Sequence, residues 1–199
     1  MDRPDDFLKR KPILFHEVLQ GFQATATFRD IQFHERGPGR MKIISTNGED
    51  AGLIAGIVSE ANKDVAELFK LNRENSPKHP SFCTDDWVLA DLKRGEEYFL
   101  FAEDGIAKGC VAFEQADAGT AYLNRLSVLP CYRHNGIGAS LVRHVLDYAK
   151  SKNIRTVSIG IIAEHEVLKN WYLKLGFIAG DTRKFDHLPF NVQYMRYES

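Results

Sequence analysis

Cysteine is scarce in this chain of 199 residues, and the three present, Cys83, Cys110 and Cys131, are odd in number and widely spaced. That excludes a disulfide framework and fits a reduced, cytoplasmic setting. No apolar run approaches the ~20 residues needed to cross a bilayer. The N-terminus is acidic before it is basic and lacks the hydrophobic stretch of a secretory signal. A formal net charge of −1 leaves no single-sign field, which argues against nucleic-acid or membrane binding. Two phosphate-binding signatures are missing as well: no Gly-Lys-Ser/Thr P-loop occurs, and no three-glycine dinucleotide fingerprint with a downstream acid. His16-Glu17 and His165-Glu166 each open like a zinc-helix motif, but neither has a second histidine four residues on, so no metal site is expected.

What remains is an ordinary globular composition, 44% hydrophobic and 27% charged, in a chain long enough for one well-buried core. Residues 1–40 read differently from the rest. FLKRKPILFHEVLQGF suggests a short helix after Pro12, and RGPGR then breaks regular structure. From Met41 the periodicity is regular, so 1–40 is expected to be an extension and 41–199 the working domain. MKIIST reads as a strand, and the turn Asn47-Gly48-Glu49-Asp50 opens a helix with Leu53, Ile54, Ile57, Val58 and Ala61 on its buried face. A second helical piece runs over about Val65 to Leu71. Thr84, followed by Asp85 and Asp86, is an expected N-cap for a helix that Gly95 ends.

EYFLFAEDG, AKGCVAFEQADAG and TAYLNRLSVLP form a meander joined by Asp-Gly and Ala-Gly turns. A helix to about Lys152 and the period-two strand RTVSIGII complete a β-α-β unit, so the strand at Val128 and this one should be parallel. EHEVLKNWYLKLGF is helical through Leu168, Trp171, Tyr172 and Leu175, with Gly176 as its cap. FNVQYMRYE is a final strand.

The chemistry concentrates in VLPCYRHNGIGASL. In Arg133-x-x-Gly136-x-Gly138 the backbone amides from His134 through Asn135, Gly136, Ile137 and Gly138 to Ala139 could converge on one anion at a helix N-terminus, with Arg133 adding a charge-assisted contact. The plainer alternative is a strand-to-helix turn in which Gly136 merely supplies a positive φ. Cys131 beside the helix start reads most simply as a half-buried thiol, and Trp171 as core.

The order Val128-x-Pro130-x-Tyr132-Arg133-x-x-Gly136-x-Gly138, a strand, and then a helix ending Trp171-Tyr172-Leu173-Lys174-Leu175-Gly176-Phe177 resembles the GCN5-related N-acetyltransferases (GNAT) over about Met41 to Glu198. The resemblance implies an α/β GNAT fold: a mixed twisted sheet flanked by helices, with a splayed parallel strand pair. It implies that the Arg133–Gly138 loop grips the pyrophosphate of acetyl-CoA and that the strand at Leu126 and Val128 lies beside the pantetheine. It also implies that Tyr172 acts as general acid at the sulfur. Three positions depart from the family pattern: Cys131 replaces a common acidic residue, His165 replaces an asparagine that often contacts the cofactor, and Asn124 stands where many members place a glutamate base.

The expected reaction is direct acetyl transfer from acetyl-CoA to an amine-bearing small molecule or peptide. The proton would pass through a water held by Asn124 towards Glu114, Glu164 or His165. A CoA-binding sensor that has lost turnover is the alternative that Asn124 keeps open. The acceptor pocket is expected from the loop at Asn72 to Asp86 and from DTRKFDHLPFN, between the last two strands. Neither carries a ligand signature, and a homodimer is left open.

Overall fold

A computed structural model describes residues 41–199. The helix expected after Pro12, the His16-Glu17 pair and the RGPGR break lie outside the described residues. In chain order the elements are β1 (Lys42–Ser45), α1 (Ala51–Ala61), α2 (Lys63–Leu68), α3 (Asp85–Lys93), β2 (Glu97–Glu103), β3 (Ile106–Gln115) and β4 (Thr120–Val128). They continue with α4 (Ile137–Ser151), β5 (Thr156–Ile162), α5 (Glu166–Lys174), β6 (Ile178–Lys184) and β7 (Asn191–Glu198). The strands form one sheet in the order β1-β2-β3-β4-β5-β7-β6. Every neighbouring pair is antiparallel except β4 and β5, the two ends of the β-α-β unit.

Local chemistry sets most of the boundaries. Asn47 Oδ1 accepts from Glu49 N at 2.8 Å while Asp50 Oδ2 accepts from Asn47 N at 3.2 Å, a reciprocal cap on the 3-10 turn that leads into α1. Asp104 and Gly105, with φ of 53° and 76°, supply the two positive values that a tight β2–β3 hairpin needs. Gly176, at φ 93°, follows the last residues of α5 as expected of a C-terminal cap.

Two elements differ from the sequence reading. Thr84 takes extended N-cap geometry at α3, but its hydroxyl makes no capping bond, so the acidic first turn of Asp85 and Asp86 complements the helix dipole instead. The segment DTRKFDHLPFN is partly strand: β6 runs through Asp181 to Lys184 and pairs with β7 through Lys184↔Asn191.

The sheet buries both faces. On one, α4 contributes Leu141, Val142 and Val145 to a core with Phe99, Val111, Phe113, Leu123, Ile159 and Ile161, which Tyr172 of α5 joins. On the other, Ile54, Ile57 and Val58 of α1 and Val88 of α3 pack on Tyr98, Leu100, Cys110 and Ala112. Each fully buried aliphatic or aromatic side chain contributes about 1.5–3 kcal/mol, so these two layers fix the sheet on which the site is built. The β3–β4 contact is tight: a Cβ at Gly109 would lie 2.7 Å from the carbonyl oxygen of Ser127.

Candidate active site

The parallel pair is short. β4 and β5 pair only at Thr120↔Thr156, Ala121↔Val157 and Tyr122↔Ser158. Beyond this point β5 follows β7 to Ile162↔Val192, whereas β4 follows β3 to Gly109↔Val128. The two central strands therefore fork at Leu123, leaving the facing edges of β4 and β5 outside any ladder between them. A bulge accompanies the fork: between Cys110↔Ser127 and Ala112↔Asn124, β4 carries two residues, Arg125 and Leu126, opposite Val111. Arg125 has φ 54°, the left-handed conformation that the first residue of a G1-type bulge takes, a position glycine usually fills.

At its upper end β4 runs into the Arg133–Ala139 loop. A 3-10 turn over Pro130–Tyr132 is followed by His134 at φ 65° and Gly136 at φ 78°, and α4 begins at Ile137. No side chain caps α4. Its first N–H groups, at Ile137, Gly138 and Ala139, have no partner within the helix and line up as donors at its positive end. The two glycines differ in role. A Cβ at Gly136 would meet nothing within 4 Å, so this residue faces open space with a backbone that L side chains rarely adopt. A Cβ at Gly138 would meet Trp171 at 3.4 and 3.5 Å and Val128 at 3.7 Å, ordinary contact distances, so Gly138 sits against α5 at a position that would accept a small side chain.

Arg133 does not stretch over this space. Its Nε donates to the Val128 carbonyl at 3.2 Å, one terminal nitrogen donates to the Ala61 carbonyl at 2.5 Å, and the guanidinium pairs with Asp64. The Arg133 hydrogen bond holds the Asp64 carboxyl below its usual range. The arginine thus ties the loop to the junction of α1 and α2.

α5 lies under the same loop. Tyr172 is buried, its ring meeting Trp171 edge-on at 4.9 Å and Phe177 at 5.2 Å. Burial pushes its phenol well up, so the hydroxyl stays protonated at neutral pH. His165 begins α5: its Nδ1 accepts from Leu168 N at 3.4 Å, which leaves Nε2 as the protonated nitrogen, and its ring lies 5.6 Å from Phe69. Glu164 is committed elsewhere, its Oε1 accepting from the side chain of Asn191 at 2.8 Å. Of the three groups expected near Asn124, only Glu114 is in contact, its Oε2 accepting from Asn124 Nδ2 at 3.0 Å.

Beside Asn124 lies a residue the sequence reading passed over. Glu96, immediately before β2 and 5% exposed, accepts from Asn124 Nδ2 at 3.3 Å and from Arg94 at 2.8 Å. Burial, together with the nearby charges of Asp91 and Glu114, pushes Glu96 up to about 7, against the pull of Arg94 and Arg125. Asp91, also buried, accepts from the Tyr98 hydroxyl at 2.7 Å and pairs with Arg125 at 3.2 Å and with Arg94. The only advance signal was phase: Glu96 precedes the inward-facing Tyr98 and Leu100 by steps of two. A separate open groove of about 520 Å³ lies against the Asn72–Asp86 segment, lined by Lys63, Ala66, Glu67, Leu71, Asn72 and Phe82. Among the described residues, no three histidine, cysteine or acidic side chains sit together as a metal site would require.

Residues 62–177 match the model of the acetyltransferase (GNAT) family. The chain belongs to the GNAT family. Over 82 residues it is 34% identical to a Xenopus tropicalis protein described as probable N-acetyltransferase 14, a match covering 36% of this chain and 39% of that protein. The chain thus aligns with well under half of that relative's length. Among solved structures it resembles the ribosomal-protein-S18-alanine N-acetyltransferase of Escherichia coli, with a TM-score of 0.64 at 16% identity over 80% of this chain and 94% of the other. It also resembles a Salmonella typhimurium protein solved with its cofactor acetyl-CoA, with a TM-score of 0.57 at 18% identity over 79% and 93%. At such identities these likenesses establish the GNAT fold: a seven-stranded mixed sheet with one parallel pair, flanked by helices.

The raised pKa of Glu96 has a consequence for stability. A carboxyl that titrates at 4.5 when unfolded and at about 7 when folded holds its proton more tightly in the native state. The native state is therefore favoured below pH ~4.5 relative to above pH ~7, and stability is lost as pH rises between them. At about 1.4 kcal/mol per unit the loss is at most about 3 kcal/mol. Glu96→Gln should match the wild type near pH 5 and melt higher than it at pH 8. The check is thermal denaturation of both proteins across this range, and a Gln variant that melts lower at pH 8 would refute the assignment.

Proposed function

We propose that this GNAT protein transfers an acetyl group from acetyl-CoA directly to a primary amine. The observation that carries the reading is the fork of β4 and β5 opening beneath an uncapped helix N-terminus: a slot with a ready anion site at its end. The amides from His134 to Ala139 would hold the pyrophosphate, with Gly136 leaving room for it and Arg133 fastening the loop from behind. The β4 edge at Leu126 and Val128 would align the pantetheine, and the Nε2–H of His165 is a further donor on the α5 side. Acetyl-CoA supplies an activated thioester. The chain's part is to hold amine and thioester in line and to manage two protons. The N-acetyltransferase names of the Escherichia coli and Xenopus relatives support an amine acceptor, and the acetyl-CoA bound to the Salmonella structure supports the donor. The three cysteines are free thiols, which suits a cytoplasmic home. No described helix is long and apolar enough to cross a membrane.

Calorimetry tests the donor site. Wild-type protein should bind acetyl-CoA and CoA with an affinity that falls as salt rises. Gly136→Asn tolerates the positive φ yet puts a side chain into the open space, so it should fold normally and bind at least about tenfold more weakly. Folded wild-type protein that binds no CoA would end the reading.

We further propose that residues 41–199 form the acetyltransferase domain and that 1–40 is an extension. A chain begun at Met41 should fold and bind acetyl-CoA as the full chain does. A large fall in melting temperature, or aggregation, would show that the extension completes the core.

Tyr172 is proposed to protonate the departing sulfur. A thiol with a pKa near ~8.5 is a tolerable leaving group, so a proton donor there should act at the low end of the usual 10² to 10⁴ range. Tyr172→Phe keeps the packing on Trp171 and Phe177. It should lower kcat by roughly 10- to 100-fold, with little change in the KM for acetyl-CoA or in melting temperature. Unchanged turnover in the folded variant would return Tyr172 to a packing role.

A further inference from the structure

β3, β4 and the residue just before β2 bring one polar group each to the same point on the face covered by α1 and α3. Asn124 of β4, opposite Ala112, sits two residues past the last pair β4 makes with β5. Its single amide nitrogen donates to Glu114 of β3 at 3.0 Å and to Glu96, at the start of β2, at 3.3 Å. Glu96 is buried and Glu114 half-buried. The charged and titratable groups facing Glu96 are Asp91 from α3, Arg94 just after it, Glu114 from β3 and Arg125 from β4. Two acidic side chains thus share one amide at the root of the fork, where an acceptor amine would meet a thioester lying between the strands.

We propose that the Glu96 carboxylate accepts the proton of the acceptor ammonium, with Asn124 and Glu114 holding it at the root of the fork. This rests on the acetyl-transfer reading given above. The ammonium N–H bond breaks and its proton passes to Glu96, which later releases it to solvent. The neutral amine forms the N–C bond, the C–S bond breaks, and Tyr172 protonates the sulfur. The proton lost by the new amide nitrogen returns to Tyr172. One proton leaves for each acetyl group transferred, as the conversion of an ammonium to an amide requires.

Placing this carboxylate in a buried, negatively charged setting serves the chemistry. An alkylammonium titrates near ~10.4, so an ordinary carboxylate would be a weaker base by roughly six units. At about 7 the gap falls to roughly three and a half, while the base remains largely ionised just above neutrality. Glu114 adds negative potential that draws in the cation.

The test uses the full chain, acetyl-CoA and the best acceptor from a panel of alkylamines, polyamines and peptides with free N-termini, followed by thiol release from about pH 5.5 to 9.5. Wild-type kcat/KM should rise with pH and bend near 7. Glu96→Gln should lower it by about 10² to 10³ at neutral pH and abolish the bend. It should still bind acetyl-CoA, and its deficit should narrow towards pH ~10, where free amine becomes abundant. Two further variants read the same group without removing it. Glu114→Gln takes away a like charge and should move the bend down by roughly half a unit, and Asn124→Asp adds one and should move it up.

A folded Glu96→Gln protein that keeps activity within about threefold and retains the bend would overturn the proposal while leaving acetyl transfer intact. So would a bend that moves in neither of the other two variants, which decide the matter if Glu96→Gln fails to fold. Wild-type protein that binds acetyl-CoA but acetylates no amine would overturn the transfer reading and this proposal with it.

Discussion

Beyond Tyr122 and Ser158 the central strands stop sharing hydrogen bonds, and each keeps its ladder on the other side. The sheet is therefore two blocks, β1 to β4 and β5 with β7 and β6, joined by three residue pairs and by the helices packed across them. Backbone donors and acceptors on the facing edges must find other partners, since an unpaired buried amide costs free energy comparable to a lost hydrogen bond. A fork in a sheet has to be held open by its surroundings. The bulge at Arg125 lies just past the fork, and its left-handed conformation costs about 1–2 kcal/mol for an L residue. It is stabilised by the Asp91 carboxylate and by packing over the Trp87 ring at 5.8 Å. Buried ion pairs add little net stability, but they fix geometry.

The Arg133–Ala139 loop inherits its shape from both sides of this fork. Arg133 ties it to the end of α1 through the Ala61 carbonyl and to the start of α2 through Asp64. From the opposite face, Trp171 of α5 lies against the loop at Gly138, 3.4 Å from where a Cβ would stand. The amide row is thus held in place by the protein's own packing, as the proposed anion site requires. Donors fixed in advance need little reorganisation when charge appears, and that is where such a site gains its strength. Arginine here works as a brace, with its guanidinium already engaged by protein oxygens.

Much of this architecture was legible in the chain. The β-α-β unit, the hairpin at Asp104-Gly105 and the buried stripe of α4 follow from periodicity and turn chemistry, because local preference and tertiary burial agree there. Where they diverge, the reading fails. β6, Ile178-Ala-Gly-Asp-Thr-Arg-Lys184, is exposed along nearly its whole length and occupies the sheet edge, so it has no apolar alternation to betray it. The Thr84 hydroxyl was a reasonable cap by type, yet no capping bond forms. The two glycines of the loop look alike in sequence, and only the fold separates them: Gly136 takes a positive φ facing open space, and Gly138 lies in the helix against Trp171. Glu96 was hidden because its meaning lies in Asp91, Asn124 and Glu114, which the sheet gathers from three separate elements.

The departure at Asn124 gains a physical reason from that gathering. A carboxylate at this position would stand within hydrogen-bond distance of Glu96 and Glu114, and three like charges at one point of a buried face would repel strongly. An amide does the opposite: its two N–H donors bridge the acids and hold both oriented. Adjacent strands are spaced about 4.8 Å apart, so a glutamate at the start of β2 lies two strands from β4. The length of its side chain is enough to bring Oε2 to 3.3 Å from the Asn124 nitrogen. An acidic group therefore still stands beside this position of β4, reaching it across the sheet as Glu96, and the asparagine is hydrogen-bonded to it.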